Sequence, residues 1–199
     1  MAPPVILASA SRIRLELLER AGVAVVAEAA VVDESELKTA LQAEGASAEA
    51  CAEALAELKA MRISARHPTA LVIGADQMLD CNGIWFDKPP DLDQARAHLQ
   101  ALSGKSHRLV TAAVVVRGSE RLWHTITSAK LTMRSLSDGF IDEYLQRIGP
   151  VALSSVGAYQ LEGLGAQLFE RVEGDFFTVL GLPLLPLLGF LRGQGVIRA

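Results

Sequence analysis

Apolar positions along this chain change period several times, and each change predicts an element. VILAS, near the N-terminus, is an apolar run of strand length. Ser11 then precedes a helical segment whose inner face is Arg14, Leu17, Leu18 and Ala21, with Gly22 as its stop. A second helix is predicted from about Ser47 to Arg66, on the stripe Cys51, Ala54, Leu55, Leu58 and Met61, with Pro68 just beyond. ALVIGAD predicts a buried strand ending at Asp76, and Asn82-Gly83 marks a hairpin. Asp91 with Gln94 makes a capping-box-like start for a helix carrying Leu92, Ala95, Leu99 and Leu102 inside, and Gly104 stops it.

Two long strands follow, near Leu109–Arg117 and Leu122–Met133, joined at Gly118-Ser119-Glu120. Ser137 caps a helix with Ile141, Tyr144, Leu145 and Ile148, ended by Gly149-Pro150. The tail reads as strand Gln167–Val172, turn Glu173-Gly174-Asp175, strand Phe176–Leu180 and a last helix from Pro183. The order has several hairpins and no strict βαβ repeat. It predicts an α/β fold with a mixed twisted sheet and flanking helices.

Composition narrows the class. The chain has 199 residues, 50% hydrophobic and 21% charged, enough to bury a core and too apolar for disorder. No repeat or low-complexity linker divides it, so a single domain over residues 1–199 is expected. A net charge of -4 and the absence of a basic stripe argue against a nucleic-acid partner. An acidic protein that binds phosphates must concentrate a few cations locally, with or without a metal ion. The two cysteines, Cys51 and Cys81, make neither a disulfide framework nor a zinc set. MAPPVILAS lacks the basic start of a signal peptide. The apolar tract Phe176–Leu191 is short and broken by Gly181, Pro183, Pro186 and Gly189, so no membrane span is expected. A reducing cytoplasm is the simplest location.

Four segments carry candidate chemistry. SASRIR places Ser9, Ser11, Arg12 and Arg14 at a strand-to-helix junction. Cations in a first helical turn oppose the macrodipole, a conflict removed if an anion sits there; the alternative is an ordinary serine cap with solvated arginines. GADQ ends an apolar strand with Asp76, which can take a proton from water or hold a metal; the alternative is a turn aspartate. Lys88, in FDKPP, depends on the hairpin. A two-residue loop at Asn82-Gly83 pairs it with Gln77, whereas a three-residue loop, or a bulge at Gly83, pairs it with Asp76 on one face. The second arrangement is the expected one, with a surface ion pair as its bland counterpart. Glu34, in VVDE, is placed to ligate a hard cation. Lys59 sits at the edge of a helical stripe, where most lysines reach back to water. The four histidines show no metal spacing, and no P-loop, G-x-G-x-x-G or G-x-S-x-G pattern occurs.

The ordered series SASRIRLELL, VVDE, ELKA, VIGADQ, GIWFDKP, LSGKSH and GAYQLEGLGAQLFERVEGDFFTVLGLPL closely resembles the Maf (septum-formation) family of nucleotide pyrophosphatases over about residues 5 to 190. The resemblance implies two lobes around a central cleft, as in Maf/ITPase-like folds, and in many members a homodimer. It implies cleavage of a nucleoside triphosphate to a monophosphate and pyrophosphate with a divalent cation, Mg2+ or Mn2+. By motif position, Asp76 is then the catalytic base, Lys59 and Lys88 act on the phosphates, and Ser9, Ser11 and Arg14 line the triphosphate site. Glu34 lies near the metal with Asp76.

The chain departs from the usual S-x-S-P-R-R, with Arg12 at the proline and Ile13 at the first arginine. Members acting on dTTP and UTP read GADT and K-A-G-x-Y-x-I-Q-G. Here Gln77, Ser155 and Glu162 stand instead, a pattern more similar to the branch associated with 7-methyl-GTP. A cationic 7-methylguanine presents two donors that Glu162 can accept, and Tyr159, Trp85 or Phe86 can stack on such a ring. Glu162 as a metal ligand is the competing reading. A dTTP/UTP pyrophosphatase, or a nucleotide-binding division regulator with little catalysis, are the alternative functions.

Overall fold

In the computed structural model, which describes residues 2–198, short polar side chains set most helix starts. Strand β1 (Val5–Leu7) leads to α1 (Arg12–Arg20), whose N-cap is Ser11. After β2 (Val25–Ala27), Asp33 Oδ1 accepts the Glu36 amide at 3.0 Å and starts α2 (Glu34–Ala43). Ser47 caps α3 (Ala48–Ser64) in the same way. Strands β3 (Leu71–Cys81) and β4 (Ile84–Phe86) form the hairpin, and Asp91 caps α4 (Leu92–Leu102). Long strands β5 (Ser106–Arg117) and β6 (Glu120–Met133) precede α5 (Asp138–Ile148), capped by Ser137. Three short 3-10 turns between Gly149 and Leu168 lead to β7 (Phe169–Glu173), α6 (Phe176–Val179) and α7 (Leu184–Gly193). Each cap satisfies an amide that the helix itself cannot, worth about 1 kcal/mol.

The strands form one mixed seven-stranded sheet in the order β2-β1-β3-β5-β6-β7, with β4 paired to β3 off that path. β1 is parallel to both β2 and β3, while β4 and β7 pair antiparallel with β3 and β6. The fold is therefore the mixed α/β sheet with helices that the patterning predicts. The described chain forms two compact units. The first holds the chain up to Gln77, Thr111–Thr127 and the chain from Leu180 onward; the second holds Met78–Val110 and Ser128–Val179. In the first unit, the first six residues of β3 are all buried, as expected of an inner strand of the sheet. In the second, Leu79, Leu99, Leu102, Leu109, Leu131, Ile141 and Tyr144 belong to one apolar cluster. Among the described residues, no helix is long and apolar enough to cross a membrane.

Four expectations are corrected. β3 does not end at Asp76 but continues five residues to Cys81, so Asp76 lies within a strand. The hairpin has a two-residue loop: Cys81 pairs with Ile84, and Asn82 and Gly83 both take positive φ, at 55° and 84°. That is the conformation an Asn-Gly turn of primed type requires. No three-residue loop or bulge exists, and β4 ends two residues before Lys88, so the register argument for an Asp76–Lys88 pair falls. Phe176–Val179 is helical, because Asp175 Oδ2 accepts both the Thr178 amide (2.8 Å) and hydroxyl (3.1 Å) and starts a turn. Helix α2 is absent from the expected elements, although Asp33 caps it and Leu37, Ala40 and Leu41 recur at helical spacing; it buries no residue fully.

One buried histidine predicts a pH effect. His107 Nε2 lies 2.6 Å from the Tyr159 hydroxyl, and burial holds its pKa down at about 4. The unfolded chain takes up a proton near pH 6.5 that the folded chain refuses. This contribution to stability is full above pH 6.5 and is lost as the pH falls toward 4. The loss is about 2–3 kcal/mol at pH 4.5. Urea unfolding at pH 7 and 4.5 should show a larger acid loss for the unaltered protein than for His107→Gln. Equal losses would remove His107 from the account.

Candidate active site

A glycine and a row of alanines bring the central side chains together. The buried face of α3 is Ala48, Cys51, Ala52, Leu55, Ala56, Lys59, Ala60 and Ile63. This face is rotated from the predicted stripe, and Leu58 is 40% exposed. A Cβ on Gly74 would lie 1.9 Å from the Ala56 carbonyl oxygen and 2.8 Å from Ala60 Cβ, so only glycine admits so close a helix. Asp76 follows Gly74 by two residues and points to the same face of β3. Lys59 lies between Ala56 and Ala60 in sequence, on the same packed face. The close approach therefore sets the lysine beside the aspartate.

Lys59 Nζ donates to Asp76 Oδ1 at 2.6 Å and meets Glu34 Oε1 at 2.7 Å. The Lys59 and Asp76 side chains are 10% and 7% exposed, and Glu34 is 43% exposed. Lys59 does not reach back to water; it bridges a buried and a half-exposed carboxylate. Asp76 Oδ2 is buried and has no hydrogen-bond partner among the described residues. A buried ion pair is a poor stabiliser relative to apolar packing. Its occurrence beside an unsatisfied carboxylate oxygen is the pattern of a functional site.

The predicted anion-binding segment is tied to this centre by backbone carbonyls. Arg14 Nε donates to the Gly181 carbonyl at 2.6 Å and Nη1 to the Ala75 carbonyl at 2.8 Å. Nη1 also reaches Ser9 Oγ at 3.4 Å, and Ser9 Oγ accepts the Ser11 amide at 3.1 Å. Ser9 is buried and Ser11 half-buried. Burial lowers the Arg14 pKa, opposed by the charges of Asp76 and Glu34. The cation in the first turn of α1 is thus met by protein acceptors. Arg12 is exposed and pairs with Glu16 at 2.7 Å, one helical turn on.

Gln77 Nε2 donates to Thr111 Oγ1 at 3.0 Å, and Thr111 is fully buried. Lys88 and Glu162 belong to the second unit, and both are exposed. Tyr159 lies in the second unit's core, against His107 and Phe169, and so is not the stacking surface expected for a base. Trp85 and Phe86 are half-buried. Thr111 and Gly181 join the site without a signal in the sequence. A threonine within Val/Ala-rich strand residues has no local signal, and Gly181 was visible only as an interruption of an apolar tract.

Among the described residues, no three His, Cys, Asp or Glu side chains stand together as a metal set. Asp76 and Glu34 nevertheless converge on one ammonium, and Asp76 Oδ2 lacks a donor. A magnesium-like ion uses one or two carboxylates and completes its shell with water and substrate phosphates. The donors present fit such an ion.

Comparison with known proteins gives three results. Residues 4–194 match the family described as "Maf-like protein". The chain is 58% identical over 189 residues to a "Nucleoside triphosphate pyrophosphatase" of Paramagnetospirillum magneticum, covering 95% of this chain and 97% of that one. It is 52% identical to a "7-methyl-GTP pyrophosphatase" of Rhizobium meliloti, over 100% of both chains. Among solved structures, a nucleoside-triphosphatase / dITP/XTP pyrophosphatase of Mycobacterium abscessus aligns with a TM-score of 0.47 at 18% identity, over 96% of this chain and 97% of that one.

Proposed function

The chain belongs to the family of Maf-like proteins, and on that premise we propose that it hydrolyses nucleoside triphosphates to a monophosphate and pyrophosphate, with Asp76 as the catalytic carboxylate. The observation that carries this reading is the buried Lys59–Asp76 pair with its free-standing Oδ2. In the proposed reaction, water adds across the α–β anhydride. Its oxygen bonds to phosphorus, its proton passes to Asp76, and the bridging P–O bond breaks to release pyrophosphate. Lys59 holds the carboxylate in place through Oδ1, leaving Oδ2 for the proton. A divalent cation, Mg2+ or Mn2+, held by Asp76 and Glu34, would supply charge neutralisation on the phosphates.

The family resemblance assigns Lys59 and Lys88 to the phosphates, with Ser9, Ser11 and Arg14 lining the triphosphate site and Gln77 and Glu162 binding substrate. The same reading takes the chain as one catalytic domain, cytoplasmic and homodimeric, with no nucleic-acid or membrane partner. Pyrophosphate release from a panel of triphosphates, with magnesium or manganese, tests the activity. Failure with every nucleotide and both metals would overturn it.

We take a 7-methylated purine nucleotide as the preferred substrate, since GADQ and Glu162 follow that branch and relatives named 7-methyl-GTP pyrophosphatase match over nearly their full length. A carboxylate accepts both purine donors, whereas a uracil edge offers one donor flanked by acceptors. The unaltered protein should turn over 7-methyl-GTP faster than UTP. Because Glu162 is exposed, its hydrogen bonds are worth about 1 kcal/mol, roughly fivefold in selectivity. Glu162→Gln should narrow the ratio by that amount. Equal losses on both nucleotides would make Glu162 a phosphate- or metal-side residue.

A further inference from the structure

The Arg14 guanidinium joins three separate segments of the first unit. It springs from the first turn of α1, and two of its nitrogens are engaged by the carbonyls of Ala75 and Gly181. Ala75 immediately precedes Asp76, and Gly181 immediately follows Leu180 on the approach to α7. Gly181 has φ +89°, and a Cβ there would stand 3.2 Å from Arg14 Nη2 and 3.3 Å from Nε. The glycine thus provides both a left-handed backbone and the room that lets the guanidinium reach its carbonyl.

We infer that Arg14 is a positioning residue: its guanidinium clamps the Ala75 and Gly181 carbonyls and so holds Asp76 in its reactive placement, in preference to spending those nitrogens on substrate phosphate. A planar guanidinium fixes its N–H groups in diverging directions, so Nε and Nη1 hold two carbonyls on different sides at once, whereas an ammonium offers a single compact charge. A clamp one residue from the catalytic carboxylate governs the angle at which Oδ2 is presented. Misplacement on the scale of 1 Å at such a group lowers turnover by about 10²-fold. The inference rests on the reading of Asp76 as the catalytic group, but the clamp itself can be tested without substrate.

The test uses the full chain with Arg14→Lys and, separately, Gly181→Ala. The first keeps the positive charge and removes the fork; the second presses on the fork from its far end. Hydrogen exchange in the substrate-free proteins should quicken in segments 72–78 and 180–184 in both variants, with the exchange of α5 unchanged. In triphosphate hydrolysis, kcat should fall by about 10–10²-fold with KM within about threefold of the unaltered value. A raised KM with unchanged kcat, or unaltered exchange in both segments, would overturn the clamp and make Arg14 a phosphate ligand. An unaltered protein that releases no pyrophosphate would reject the proposed reaction, while the exchange measurement still decides the clamp.

Discussion

Asp76→Asn is expected to reduce pyrophosphate release by about 10²–10⁴-fold, the range for loss of a general base. Asparagine keeps the shape of the side chain and can still accept from Lys59 through its amide oxygen. What it loses is the charge and the basic oxygen at the Oδ2 position, which is buried and without a hydrogen-bond partner among the described residues. The fold should persist, because Lys59 retains Glu34 as its second carboxylate at 2.7 Å. Turnover, thermal midpoint and far-ultraviolet circular dichroism measured together separate chemistry from unfolding. An Asp76→Asn protein that hydrolyses nucleotide at nearly the unaltered rate would show that the carboxylate is not catalytic.

Lys59→Met should be the most destabilising single change at the site. It removes the ammonium from Asp76 Oδ1 while Oδ2 already lacks a donor, leaving a buried carboxylate without its hydrogen-bonded cation. Breaking one side of such a pair costs about 3–5 kcal/mol. For a chain of this size that is a fall of roughly 6–20 °C in the thermal midpoint. The cause is the stranded charge and not the lost contact. Adding Asp76→Leu to Lys59→Met should therefore recover most of the loss, since apolar replacement of both partners is often neutral or better. A double variant no more stable than Lys59→Met would contradict this account, as would a single variant that loses less than about 1 kcal/mol, the value of a solvated pair. Activity should be absent in both.

Helix limits were legible in the sequence because their determinants are local. Ser11, Asp91 and Ser137 cap α1, α4 and α5, and Gly22, Gly104 and Gly149 follow them with positive φ. The long strands β5 and β6 and the Asn82-Gly83 turn were legible for the same reason. The ordered motifs also carried the family, which the match over residues 4–194 establishes.

Tertiary structure alone decided the rest. Lys59 could be an edge lysine or a buried one by its spacing, since one helical position shifts a side chain by about 100°. The choice was made by Gly74, whose missing Cβ allows the alanine face of α3 against β3 and turns Lys59 inward to Asp76. The hairpin register expected from the sequence, with a three-residue loop or a bulge at Gly83, is wrong, and the cross-strand pairing of Cys81 with Ile84 fixes the two-residue loop. Arg14 was read as a cation awaiting an anion because its acceptors, Ala75 and Gly181, are 61 and 167 residues away. Backbone carbonyls carry no side-chain signature. No sequence pattern announces them, and only the folded chain brings them to the guanidinium.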